Sequence, residues 1–186
     1  MSFPNFNSLS IHQKLPLLGL AAYGAYKVAQ TAWNNSKSLI QYFVLPRKNL
    51  ASRYGQGSWV IVTGASDGLG KQYSTELAKE GFNIVLVARN KAKTEAVAAE
   101  ITKATGVKTR VLIFDFSKLE TQEDVDRLNK QLDSVKELDI SILVNNLGSL
   151  IYGDLMRLDI ASVNSNININ VNAITYMTMA LLPRLL

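Results

Sequence analysis

The sequence predicts an α/β fold, a doubly wound parallel sheet of about four strands preceded by an apolar helical arm. Three observations carry this. From Trp59 onward, short β-branched runs alternate with helical patterns, an order that gives a parallel sheet with helices on its faces. The first run, Trp59 to Thr63, passes straight into a loop holding Gly64, Gly68 and Gly70 and then into a helix. All acidic residues lie after residue 58, which separates a basic arm, 1–58, from a nearly neutral body, 59–186.

Composition excludes several function classes. With 47% hydrophobic and 19% charged residues, the 186-residue chain is globular, with room for one sizeable core. The absence of cysteine rules out disulfides and thiolate metal sites, and the single histidine, His12, lies in the N-terminal tail. A histidine triad, a zinc centre or any other metal site is therefore not expected. The net charge of +5 belongs to the arm, which holds Lys14, Lys27, Lys37, Arg47, Lys48 and Arg53 and no acid. No cluster of bases with interleaved aromatics appears in the body, so nucleic acid is not an expected partner.

In the arm, Leu15 to Tyr26 is apolar, a looser pattern continues through Val28, Ala29, Ala32 and Trp33, and a second run covers Leu39 to Leu45. Lys27 and Gln30 interrupt the first run before the roughly 20 residues that span a bilayer. Tyr23, Tyr26, Trp33, Tyr42 and Phe43 suit an interface, and Lys37, Arg47 and Lys48 suit a cytoplasmic flank. The leading expectation is a membrane anchor or an interfacial helical hairpin, with residues 9–46 meeting membrane lipid or a membrane-protein partner. A mitochondrial targeting segment and a helix packing on another protein are the alternatives. No small-residue cleavage site follows the apolar run, which argues against a secretory signal.

The body reads as follows. Trp59 to Thr63 is a buried strand, and Lys71 to Lys79 a helix with Tyr73, Leu77 and Ala78 on one face. Strand, glycine loop and helix start present unpaired N–H groups and a positive dipole end to a phosphate. Asn83 to Ala88 is the second strand, Lys91 to Ala104 a helix, Val111 to Phe114 the third strand, and Gln122 to Lys136 a helix. Ile140 to Val144 is the fourth strand, and a long helix runs from Val163 or Asn166 to Leu182. After the second strand stand Arg89 and Asn90, where an NAD-preferring fold places an acid for the ribose hydroxyls. A planar cation there suits a 2′-phosphate and favours NADP(H).

The Thr-Gly-x-x-x-Gly-x-Gly spacing of residues 63–70 resembles the cofactor loop of the short-chain dehydrogenase/reductase family, which has a Rossmann-type fold. Asp115 after the third strand and Asn145-Asn146-Leu147-Gly148 after the fourth fit further elements of that family, in order. The stretches Val62 to Lys71, Glu76 to Lys79, Leu86 to Arg89, Ile167 to Asn170, Met177-Thr178 and Pro183 resemble its microsomal 3-oxoacyl-CoA reductase and 17β-hydroxysteroid dehydrogenase branch. The resemblance implies that Gly64, Ser66, Gly68, Leu69 and Gly70 hold the pyrophosphate of NADPH, with Asp67 also cofactor-binding, and Arg89 and Asn90 its 2′-phosphate. It assigns Asp115 and Asn146 to the adenosine side, Phe116 to the cofactor site, and Gly148 to the cleft wall. Counting back from Met177-Thr178 puts the family's active-site asparagine, which kinks its helix and holds a relay water, at Asn170; Asn168 and Asn172 compete for that register. The branch also implies an N-terminal anchor in the endoplasmic reticulum, with the mitochondrial inner membrane as the alternative.

The family's catalytic serine and its Tyr-x-x-x-Lys pair are not found. The one Tyr-x-x-x-Lys match, Tyr23 to Lys27, lies in the arm, and Ser149 comes too early to be the family serine. With strands wound in the order 3-2-1-4, the fourth is an open edge that invites a completing segment or chain. Two function classes follow: the cofactor-binding part of a membrane-associated NADPH-dependent reductase of 3-oxoacyl-CoA or a ketosteroid, or a noncatalytic subunit docked by its arm into a membrane assembly. Continuation past Leu186 with the missing residues favours the first.

Overall fold

A computed structural model describes residues 9–44 and 49–185. The chain divides into two units, Met1–Lys48 and Asn49–Leu186. In the first, α1 spans Ile11–Leu39 and runs on into a π-helical turn, Ile40–Val44. Of the two forms expected for the arm, an anchor or a helical hairpin, the hairpin is replaced over these residues by one continuous helix. No glycine or proline punctuates the sequence between Lys27 and Val44, and Pro16 costs only one hydrogen bond near the helix start. None of the helix is buried, and no helix among the described residues is long and apolar enough to cross a membrane.

The second unit opens with a short helix, α2 (Leu50–Tyr54), capped by the Asn49 side chain. There follow β1 (Trp59–Thr63), α3 (Gly68–Lys79), β2 (Asn83–Ala88), α4 (Lys91–Thr105), β3 (Thr109–Ile113), α5 (Gln122–Asp133) and β4 (Ile140–Val144). The last segment comprises α6 (Ile160–Ile167), a π-helical turn at Asn168–Asn172 and α7 (Ala173–Leu185). All strand pairs are parallel, in the order β3-β2-β1-β4. Among the described strands β4 pairs only with β1, so its other edge is open.

Alternation along the strands sends side chains to two cores. Val60, Val62, Ile84 and Leu86 pack beneath α3 and α4 with Phe82, Val97 and Ile101. Ile61, Val85, Val87 and Leu112 face Leu128 and Leu132 of α5 and Met177 and Leu181 of α7. A sheet covered on both faces reads as near-continuous apolar strands, which is why Trp59–Thr63 and Asn83–Ala88 were legible.

Three local expectations differ from the structure. On α3 the buried face is Gly70, Ser74 and Ala78, and Tyr73 is exposed, because a helix pressed close on the sheet seats small residues at the contact. The long helix starts earlier, at Ile160, since Asp159 accepts from Ser162 N and caps it. It is also not uniformly α-helical: asparagine side chains that bond elsewhere accompany a π turn in its middle.

Candidate functional site

The site begins where β1 ends. Thr63 is 2% exposed, and its Oγ1 accepts from the N–H groups of Asn146 (3.0 Å) and Leu147 (3.1 Å) and donates to Val144 O (3.3 Å). One hydroxyl thus ties the end of β1 to the turn after β4. Asn146 answers by donating from Nδ2 to Thr63 O (3.0 Å) and Gly64 O (3.5 Å). Gly64 (φ +67°) turns the chain out of the strand against Leu147. Gly70 lies against the Gly64 carbonyl and the Asn146 amide, so the start of α3 is pinned to the loop at a point where only a hydrogen fits.

The other side of the loop is open. A Cβ on Gly68 (φ +53°) would meet no atom within 4 Å, so the backbone there faces free space. The Asp67 side chain accepts from Gly68 N (2.8 Å), while the N–H groups of Leu69 and Gly70 have no partner among the described residues. These are the donors that the first turn of a helix leaves for an anion.

A cleft of about 550 Å³ lies over this loop at the carboxyl ends of the strands. It gathers ten of the residues expected from sequence: Gly64, Ser66, Asp67, Gly68, Leu69, Arg89, Asp115, Phe116, Asn146 and Gly148. Gly70 stands behind the loop rather than on the wall. Asn90 also lies off the wall; its Oδ1 accepts from Lys93 N (3.0 Å) and caps α4. Arg89 forms no ion pair or hydrogen bond with any described residue, which leaves its guanidinium available. The Asp115 carboxylate accepts from Ser117 N (3.1 Å) and Ser117 Oγ (2.7 Å), and Phe114 and Phe116 meet edge to face with centroids 4.9 Å apart.

The three asparagines of the π turn part company. Asn168 is buried and donates to Ser117 O (3.1 Å), bracing the turn after β3, and Asn172 donates to Asn168 Oδ1 (2.8 Å). Asn170 alone of the three reaches the turn after β4: its Oδ1 accepts from Ser149 N (3.0 Å) and its Nδ2 donates to Ser149 O (2.8 Å). Sequence reasoning did not mark Ala88, Phe114, Ser117, Leu147, Ser149 and Ile169, which complete the wall. Most of them flank a marked residue, and adjacency to a strand end was the signal available for them. Tyr23 and Lys27 stay within the arm: the ammonium lies 5.7 Å from the Tyr23 ring centroid and donates to Gln30 Oε1 (3.2 Å).

The family model described as short chain dehydrogenase matches residues 58–186. The chain belongs to the short-chain dehydrogenase family. Within that family it is similar to very-long-chain 3-oxoacyl-CoA reductases. It is 47% identical over 130 residues to that of Aspergillus oryzae, covering 69% of this chain and 36% of the relative. To that of Scheffersomyces stipitis it is 37% identical over 172 residues, covering 90% and 48%. The chain therefore spans less than half the length of these curated relatives. Among solved structures, a short-chain dehydrogenase from Sphingobium yanoikuyae in complex with NADPH aligns with a TM-score of 0.61 and 31% identity, over 68% of this chain and 48% of that one. L-sorbose reductase from Gluconobacter frateurii, complexed with NADPH and L-sorbose, aligns with a TM-score of 0.62 and 28% identity, over 70% and 48%. The matched residues 58–186 include every wall residue of the cleft.

Proposed function

We propose that residues 49–186 bind NADP(H) and form the cofactor half of a membrane-associated reductase that converts the 3-oxo group of a fatty acyl-CoA, or a steroid ketone, to the alcohol. One observation carries this reading: an unpaired arginine, an open glycine loop and a helix start with free N–H donors border a single cleft. Those groups match a dinucleotide with one extra phosphate. Gly64, Ser66, Gly68, Leu69 and Gly70 receive the pyrophosphate through backbone N–H groups and close approach. Arg89, with Asn90 beside it, receives the 2′-phosphate, and Asp115, Phe116 and Asn146 border the adenosine. Asn170, whose side chain bonds the Ser149 backbone, would be the residue that holds a relay water.

The cofactor, when bound, supplies the hydride. Proton donation to the carbonyl calls for the family's serine, tyrosine and lysine, which are not among these 186 residues, so turnover requires residues outside them. The acyl-CoA substrate rests on similarity to the reductases named above. Membrane attachment, at the endoplasmic reticulum, falls to the arm: Ile11, Leu15, Leu18, Ala22, Ala29 and Trp33 recur at helical spacing along an acid-free helix. The open edge of β4 is the place for a completing strand.

Titration of the purified chain in mild detergent with NADPH and NADH, followed by nicotinamide fluorescence, tests the reading. Saturable binding, tighter for NADPH, is expected; absence of binding by a folded sample refutes it.

A further inference from the structure

Beside the wall after β4 stands a side chain, Asn166, that the cofactor reading does not use. Asn166 and Asn170 are four residues apart, so they project from one side of the helix, and both meet Ser149. Asn170 takes the Ser149 backbone. Asn166 adds two bonds from the same nitrogen, donating Nδ2–H to Ser149 O (3.0 Å) and to Ser149 Oγ (3.0 Å). An amide NH2 has two hydrogens, one for each acceptor. The serine oxygen is thereby held as an acceptor on the helix side. Its single proton is then turned elsewhere, and Oγ has no other partner among the described residues. Ser149 is exposed and lines the cleft.

We infer that Asn166 is a positioning residue that orients the Ser149 hydroxyl as a hydrogen-bond donor to an acceptor oxygen or nitrogen of the bound dinucleotide, a role that rests on the cofactor reading above. Topology separates this contact from the phosphate contacts. Arg89 follows β2, Ser149 follows β4 and β1 lies between, so the two are about two interstrand spacings, roughly 10 Å, apart. A whole dinucleotide held at Arg89 would have to cross the glycine loop to meet Ser149, and its half, 2′,5′-ADP, with its second phosphate at the loop, would stop short of it.

The test uses the 186-residue chain in mild detergent, with Ser149→Ala, Asn166→Ala and the double variant, each titrated with NADPH and with 2′,5′-ADP. Ser149→Ala is expected to weaken NADPH binding about 3- to 10-fold, the value of one neutral hydrogen bond. Asn166→Ala should weaken it by a similar factor, and the double variant no further than Ser149→Ala alone. Binding of 2′,5′-ADP should stay unchanged in all three, which also shows that they are folded. Unchanged NADPH binding by Ser149→Ala overturns the inference. So does a parallel loss of both ligands, which makes the pair a structural brace, and so do independent effects that multiply in the double variant. Failure of the unsubstituted chain to bind NADPH removes the cofactor reading itself, and this inference with it.

Discussion

Replacing Gly70 with alanine puts the helix–loop contact under direct strain. A Cβ at that position would sit 2.5 Å from Asn146 Nδ2 and 2.8 Å from Gly64 C, and closer still to the Gly64 carbonyl oxygen. Two of these atoms belong to backbone that Thr63 and Asn146 hold in place, so the obstacle cannot swing aside like a side-chain tip. Overpacking of this kind costs about 1–3 kcal/mol. Displacing the Asn146 amide from Thr63 O removes a further hydrogen bond, about 1 kcal/mol. Alanine returns at most about 1 kcal/mol in helix propensity. The expected balance is a loss of about 1–3 kcal/mol, read as a lower urea midpoint at unchanged slope. Weaker NADPH binding should accompany it, because the loop must move. Leu69→Ala, next door and 72% exposed, serves as control and should lie within about 0.5 kcal/mol of the parent. Equal or greater stability of Gly70→Ala would show that α3 is not pressed on the loop as described.

Other consequences are as specific. Thr63→Val keeps the shape of the side chain but strips the acceptor from the Asn146 and Leu147 N–H groups, and should cost about 2–4 kcal/mol in urea unfolding, with Thr63→Ser near the parent. Asp124 is held well below the usual carboxylate range, first by the Thr121 N–H, then by the Glu120 N–H and the Thr121 hydroxyl, with Arg127 beside it. A depressed pKa in the folded state means stabilisation that is complete above the ordinary carboxylate pKa and is lost as pH falls through the folded value. Asp124→Asn should therefore lower the urea midpoint at pH 7 and shrink in effect in strong acid; an equal deficit at every pH would contradict this. Asp159, lowered by the Ser162 N–H and hydroxyl at the start of α6, adds acid sensitivity of the same sign.

Much of this architecture was legible because local and global signals agree. Strands buried on both faces leave unmistakable apolar runs, and Gly64, Gly68 and Gly70 mark a loop whose backbone has no room or no tolerance for side chains at the contact points. That Arg89 lines the cleft was readable from its place after β2. The errors arose where tertiary contacts overrode local pattern. Tyr73 lies at helical spacing from Leu77, yet the sheet selects Gly70, Ser74 and Ala78. The asparagine-rich stretch 164–172 has poor helix propensity, but Asn166, Asn168 and Asn170 bond to Ser117 and Ser149, and those bonds accompany a helix containing a π turn. Asp159 and Ser162 formed a cap signal in plain sequence that the asparagines obscured. Thr63 could not be singled out by sequence, because a threonine at a strand end looks like any β-former until the turn after β4 is brought to it.

The central claim is that Arg89 faces a 2′-phosphate across the cleft. Charge reversal measures it most directly: Kd for NADPH and for NADH, by nicotinamide fluorescence, for the parent chain and Arg89→Glu. A charge-assisted hydrogen bond lost and a repulsion gained should weaken NADPH binding by more than about 10-fold and leave NADH within about 3-fold, so that the preference between the two collapses. An unchanged preference, in a variant that still binds NADH, would contradict the account.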